Sequence, residues 1–204
     1  MEKNILLNLE HYTIHARILA NFEKYVSQAA QKYPAPTDRK DPGEYDNGAV
    51  ENRAGRWITQ NFMKDDTDPV HSFFKRCATA TGLDNVEIIV CMQQPGVATP
   101  PHQDYLYSYR KRHNLCNISD NDRYQRIKRY WMPLEDWKTG HCYQSNNKVF
   151  LNWKAGDLFT GPEDHCHSAA TSGTDARHFA QITGCIPTNG EYLGKHGYKE
   201  VVVD

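Results

Sequence analysis

His102 and Asp104 stand two residues apart in the run Pro95-Gly96-Val97-Ala98-Thr99-Pro100-Pro101-His102-Gln103-Asp104-Tyr105. On an extended chain, positions i and i+2 project to the same side, so one strand can present an imidazole and a carboxylate to a single cation. Those are two of the three ligands of a two-histidine, one-carboxylate metal site. The third is offered by His165-Cys166-His167. Farther on, His167 and Arg177 flank the turn residues Thr171–Asp175, each five residues from Ser172. A hairpin centred there places the two on adjacent strands with Cα atoms about 4.5–5.5 Å apart. An arginine so placed has the reach and the planar fork to grip the far carboxylate of a ligand whose other end chelates the metal. This register favours His167 over His165, which would need a shifted hairpin, and it selects a short dicarboxylate as co-substrate.

These residues need strands to carry them, and the sequence reads as strands from Val86 onward. Apolar runs at 86–92, 126–133, 148–153, 157–160, 167–171 and 177–183 are separated by turn residues, the spacing of an antiparallel barrel or sandwich. Ala155-Gly156-Asp157 and Thr171–Asp175 read as hairpin turns. Upstream the pattern is helical. Ile14, Ile18, Leu19, Phe22, Tyr25, Val26 and Ala29 recur at three-to-four spacing and predict a helix over 15–32, ended by Pro34 and Pro36. Pro34–Gly55 reads as a loop and Arg56–Phe62 as a strand. A second helix follows Asp68-Pro69, with Asp as cap, Pro in the first turn, one face of Val70, Phe73, Phe74 and Cys77, and Gly82 as its close. The expected fold is α+β, with the chemistry in the β half.

The chain has 204 residues with 24 Lys+Arg against 25 Asp+Glu, a formal charge of −1, which excludes a simple polyelectrolyte. With 39% hydrophobic and 11% aromatic residues it can bury a core and is not a disordered chain. No apolar run approaches the roughly 20 residues that span a bilayer, and the first ten residues are too polar for a signal peptide, so the expected compartment is the cytosol. Six Cys without a CxxC pair argue against structural zinc and disulfides and read as free thiols. Net neutrality conceals a basic segment: Arg110–Arg129 holds seven basic residues and two acids, a local charge of +5 directly after the proposed metal residues. With Tyr105, Tyr107, Tyr109 and Tyr124 interleaved, it reads either as a recognition lid for an anionic or stacking ligand or as a solvated loop. Within it, strand alternation with Ile127 and Trp131 turns Arg129 inward, toward co-substrate or substrate. His141 and His178 are candidates for supporting roles, and alternation turns His178 away from Arg177.

The combined pattern resembles the Fe(II)- and 2-oxoglutarate-dependent dioxygenases. It is carried by His102-x-Asp104, the distal His167, and Arg177 ten residues beyond in Arg177-His178-Phe179-Ala180-Gln181-Ile182-Thr183-Gly184. Arg129–Trp137 and Leu151–Phe159, with its Gly156-Asp157 turn, also look like strands of that family. The resemblance covers roughly residues 86–186. It implies a double-stranded β-helix (jelly roll, cupin-like) core over about 85–190, with a helical part over about 1–84 packed on it as one oxygenase domain. It further implies ferrous iron held by His102, Asp104 and His167, 2-oxoglutarate anchored by Arg177, and O2 as second co-substrate. The implied reaction is hydroxylation of an unactivated C–H bond with release of succinate and CO2. Three departures narrow the substrate. Phe179 stands where many members carry Ser or Thr two residues after the arginine, so a hydroxyl partner for the co-substrate must come from elsewhere. Thr183 replaces the second arginine of the nucleic-acid dealkylating branch. Arg177 itself replaces the lysine usual in prolyl hydroxylases. The expected substrate is a small molecule or an amino-acid side chain, with no membrane partner. A nucleic-acid-modifying oxygenase and a non-catalytic cupin-like metal module are the alternatives.

Overall fold

The computed structural model describes residues 14–32, 55–59, 67–119, 122–145, 148–160 and 166–204. In chain order the elements are β1 (Ile14–Leu19), α1 (Phe22–Lys32), β2 (Gly55–Thr59), α2 (Pro69–Thr79), β3 (Asp84–Gln93), β4 (Val97–His102), α3 (Tyr107–Arg112), α4 (Arg123–Arg126), β5 (Ile127–Pro133), β6 (His141–Ser145), β7 (Lys148–Phe150), β8 (Asp157–Phe159), β9 (His167–Thr171), β10 (Arg177–Cys185) and β11 (Lys199–Val202). The strands form a seven-stranded sheet of order β11-β1-β8-β5-β10-β3-β2 and a four-stranded sheet of order β4-β9-β6-β7. Between β3 and β10, the chain changes sheet at every connection except the β6–β7 hairpin. That crossing pattern, with antiparallel ladders throughout this part, is a double-stranded β-helix, as the sequence led us to expect. No helix among the described residues is long and apolar enough to cross a membrane.

Strand alternation gives the large sheet two buried faces. On one side, Ile88, Val90, Tyr130, Met132, Ala180 and Ile182 pack with Phe22 and Ala29 of α1 and Phe73, Phe74 and Cys77 of α2. On the other, Cys91, Trp131, Phe159 and Phe179 meet Tyr143, Phe150 and Ala169 of the small sheet. The helix at α2 forms as its sequence requires: Asp68 accepts the Val70 N–H at 2.9 Å, Pro69 opens the first turn, and the buried residues recur at helical spacing. Gly82 follows its end at φ +73°.

Two expectations need correction. The helix predicted over 15–32 is a strand followed by a shorter helix. Ile14–Leu19 forms β1, paired with β8 and β11, so the N-terminal part contributes to the sheet as well as covering it. Asn21 marks the boundary by accepting the Lys24 N–H, a capping contact three residues ahead. Neither proposed turn closes a hairpin. Residues 172–176 carry the chain from β9 in the small sheet to β10 in the large one, and residues 151–156 carry it from β7 to β8 in the same sense. The strand expected over Arg56–Phe62 is present as β2 through Thr59, and its remainder lies outside the described residues, as does most of the proposed loop.

Gly156 locks β1 onto the sheet. Its carbonyl accepts the Ile18 N–H at 2.9 Å, its N–H reaches the Pro133 carbonyl at 2.8 Å, and its φ is +81°. A Cβ there would lie 1.9 Å from the Ile18 carbonyl oxygen. Asp157 beside it accepts from Arg17 Nε at 2.6 Å and from the Lys154 N–H at 2.8 Å. Gly156→Ala therefore meets both a left-handed backbone and a backbone clash, and it should cost about 2–3 kcal/mol in denaturant unfolding. A pH effect follows from Glu135, which accepts the His178 N–H at 2.9 Å and Lys138 Nζ at 2.7 Å. Burial opposes its ionisation, but bonds from His178 and Lys138 more than offset this and hold its pKa down to about 2. Stability from a lowered carboxylate is fully present above the unfolded value of 4.5 and is lost as pH falls toward 2. Unfolding measured across that window should show a flatter acid limb for Glu135→Gln than for the wild type.

Candidate metal centre

β4 and β9 are neighbours in the small sheet, and their register sets His102 directly against His167. The ladder slips between Thr99 and His102, where Pro100 and Pro101 have no N–H to donate. That irregularity frees the Pro100 carbonyl to lie 2.8 Å from His102 Nδ1. An Nδ1–H donated to it leaves the Nε2 lone pair for a cation, the usual way a metal-binding imidazole is oriented. Asp104 lies just beyond the strand, with Oδ1 3.8 Å from His102 Nε2 and Oδ2 3.7 Å from His167 Nε2. One donor atom from each of the three residues fits within 4.8 Å of the others. Both carboxylate–imidazole separations fall below twice a metal–ligand bond of about 2.1 Å, so one cation can touch both members of each pair. The His167 ring is fixed by Trp131, edge-on at 5.5 Å, and by Tyr143, stacked at 5.7 Å.

Arg129 points inward, as strand alternation requires, but its partner is Asp104: Nη1 donates to Oδ2 at 2.5 Å while Nε donates to Thr183 Oγ1 at 2.9 Å. Burial raises the Asp104 pKa. The charges of Arg129, His167 and His102 outweigh that effect, so the carboxyl is held below its usual value and stays anionic.

Arg177 is placed differently from the sequence expectation. His167 lies opposite His102 and Ser145, whereas Arg177 lies opposite Gln93 in the other sheet, so the two do not face each other across a hairpin. The turn between them is pinned elsewhere: Ser172 N–H donates to the Gly140 carbonyl, and His141 Nε2 lies 3.1 Å from the Asp175 carbonyl. Both residues nevertheless belong to the space between the sheets. Arg177 is 4% exposed, its Nη1 donates to the Cys142 carbonyl at 3.3 Å, and its guanidinium lies 4.6 Å from the Phe179 ring centre. Among the described residues, Nε and Nη2 have no hydrogen-bond partner. Burial pushes its pKa down to about 10, which leaves it charged at neutral pH. Cys142 pairs with Ala170, three residues from His167, so the guanidinium and the metal residues are separated by about 10 Å along the strands at roughly 3.3 Å per residue.

His165 lies outside the described residues. His178 turns to the far face toward Glu135, as alternation implies. His141 is buried near Arg177 rather than near the metal group. Three of the seven basic residues of the segment, Arg110, Arg112 and Arg129, are committed to the protein itself. Arg112 makes two bonds to Glu87 at 2.8 and 2.6 Å, His113 Nε2 lies 2.9 Å from the same carboxylate, and Arg110 is buried on the Ile118 carbonyl. Glu87 was not foreseen as their acceptor, although its place on the inner face of β3 follows from alternation with Cys91. None of the six cysteines is in a disulfide.

No protein-family model matches the sequence, and no curated protein matches it. Among solved structures, the chain is similar to a Cupin 2 conserved barrel domain protein from Salinispora arenicola (13% identity, 48% of this chain and 62% of that one, TM-score 0.31). It is also similar to a protein described as a predicted oxalate decarboxylase from Thermotoga maritima (16% identity, 48% and 64%, TM-score 0.32). A third is an uncharacterized conserved protein with a double-stranded β-helix domain from Klebsiella pneumoniae (18% identity, 53% and 73%, TM-score 0.32). About half of this chain is matched in each case, and the match spans less than two thirds of the first two proteins.

The geometry makes the ligand set testable. His102→Ala, Asp104→Ala and His167→Ala should each abolish tight binding of one divalent transition metal in equilibrium titration, whereas Glu135→Gln, remote from the group, should leave it intact. Retention of wild-type affinity in any of the three would remove that residue from the site.

Proposed function

We propose that this protein is an Fe(II)- and 2-oxoglutarate-dependent dioxygenase that hydroxylates an unactivated C–H bond of a small molecule or an amino-acid side chain. The observation that carries this reading is Arg177, a buried cation with two guanidinium nitrogens unpartnered among the described residues, in the space that also receives His102, Asp104 and His167. A site that only stores or senses a metal has no use for a second, buried cation. Two neutral imidazoles and one carboxylate are the donor set of non-haem ferrous sites with open positions, and the orientation of His102 by Pro100 and of Asp104 by Arg129 suits them to that role.

In this reading His102, Asp104 and His167 hold the iron, and Arg177 grips the distal carboxylate of 2-oxoglutarate. When bound, the two supply the oxidising chemistry, coupling decarboxylation of the co-substrate by O2 to insertion of one oxygen atom into substrate. The protein orients and shields. Arg129 keeps Asp104 anionic and fixed, Trp131 and Tyr143 hold the His167 ring, and the aromatic interior excludes water from the co-substrate. The engagement of Arg110, Arg112 and Arg129 by Ile118, Glu87 and Asp104 withdraws three of the seven basic residues of the segment from a phosphate backbone. A small-molecule or side-chain substrate is therefore preferred to a nucleic acid.

Anaerobic addition of 2-oxoglutarate to the ferrous protein should produce a metal-to-ligand charge-transfer absorption band. Arg177→Ala should weaken co-substrate binding by about 2 kcal/mol or more, roughly thirty-fold, with metal affinity unchanged. Absence of the band together with absence of 2-oxoglutarate turnover would sink the reading.

A further inference from the structure

Arg177 is not the only buried side chain at its end of the sandwich with an unpartnered polar atom. Trp153 Nε1 and His141 Nδ1 are buried and, among the described residues, have no hydrogen-bond partner either. The fold sets His141 beside each of the other two, against the Trp153 ring and within the field of the Arg177 charge. β6 begins at His141, opposite Thr171, where β9 ends. Trp153 follows β7, which pairs back along β6, and its ring stacks on His141 with 20° between planes and 6.4 Å between centres. Arg177 reaches the same level by donating to the carbonyl of Cys142, the residue after His141. The one hydroxyl on that part of β9, Thr171 Oγ1, already donates to Gln93 Oε1 at 3.0 Å.

We infer that this end of the interior is a carboxylate subsite in which the Trp153 indole N–H supplies, beside the Arg177 fork, the neutral donor that a hydroxyl would otherwise give. A carboxylate has two oxygens and about four lone-pair directions. Arg177 Nε and Nη2 can fill two of these side by side, and an indole N–H, which can only donate, fits a third. Buried donors without partners cost free energy in the empty protein, and an anion removes that cost at both residues together. Phe179, which stands two residues after the arginine, turns its ring against the guanidinium and offers no hydroxyl. His141 is a positioning residue. Its Nε2–H, donated to the Asp175 carbonyl, sets the ring against which the indole stacks.

The inference deepens the co-substrate assignment and rests on it, so the experiment uses two probes. Glutarate, a five-carbon dicarboxylate that lacks the keto group, tests the carboxylate subsite on the metal-free protein. 2-Oxoglutarate, added anaerobically to the ferrous protein, tests the complete site. In an NMR proton–nitrogen correlation spectrum, the Trp153 indole N–H resonance, assigned by its loss in Trp153→Phe, should move on addition of either probe. Trp153→Phe keeps the aromatic packing and should weaken both by roughly ten-fold, the value of one hydrogen bond to a charged group, without changing metal affinity. An indole resonance that stays still while the probe binds, or equal affinities for variant and wild type, overturns the role of Trp153. Glutarate binding that depends on Trp153, without tighter binding of 2-oxoglutarate to the ferrous protein, keeps the subsite and defeats the co-substrate assignment. Failure of both probes defeats both.

Discussion

The large sheet has both faces covered, and much of the chemistry follows from that constraint. Its strand β10 lies between β3 and β5, so no side chain on its inner face reaches solvent freely. Phe179 meets this condition with an aromatic ring, but Arg177 brings a guanidinium. Removing such a charge from water costs several kcal/mol. One long bond to Cys142 and the face of Phe179 recover part of it, a cation–π contact contributing about 2 kcal/mol when desolvated. The remainder is carried by the hydrophobic burial on both sides of the sheet.

Period-two alternation made much of this legible in the sequence. It placed β3, β5 and β10 and turned Arg129 inward and His178 outward, but the strand that was to carry both His102 and Asp104 ends at His102. The N-terminal strand was hidden because Ile14, Ile18 and Phe22 continue at helical spacing across Asn21, where the chain changes from strand to helix. Which sheet a strand joins was hidden for a different reason. A compact turn such as residues 171–175 suits a hairpin and a crossing between sheets equally well, and the choice depends on contacts with Gly140 and His141 that are far away in sequence. His167 was thus singled out through a pairing with Arg177 that does not exist. Its true partner across the ladder is His102, which supports the same residue by a shorter route.

Charge counting along the sequence also misled, because it has no knowledge of partners. The +5 of Arg110–Arg129 shrinks once Glu87, on the inner face of β3, takes up Arg112 and His113 and once Asp104 takes up Arg129. These pairs tie part of the segment that follows His102 and Asp104 to the large sheet. Tyr105 and Tyr107, stacked with 5.7 Å between their ring centres, remain exposed beside Asp104.

The interior is polar at its two ends and aromatic between them. At one end His102, Asp104 and His167 bring their donor atoms within 4.8 Å of one another. At the other, Arg177 waits with Trp153 and His141. Trp131, Tyr143 and Phe179 line the interval, and none of them carries a charge. A ligand that suits such a space needs a chelating head for the metal, an anionic tail for the arginine, and a short apolar middle that loses nothing by leaving water. A monocarboxylate would leave one end unsatisfied. Those requirements come from the chain's own side chains. On the proposed function, they suit a keto-dicarboxylate with methylenes between its two functional ends.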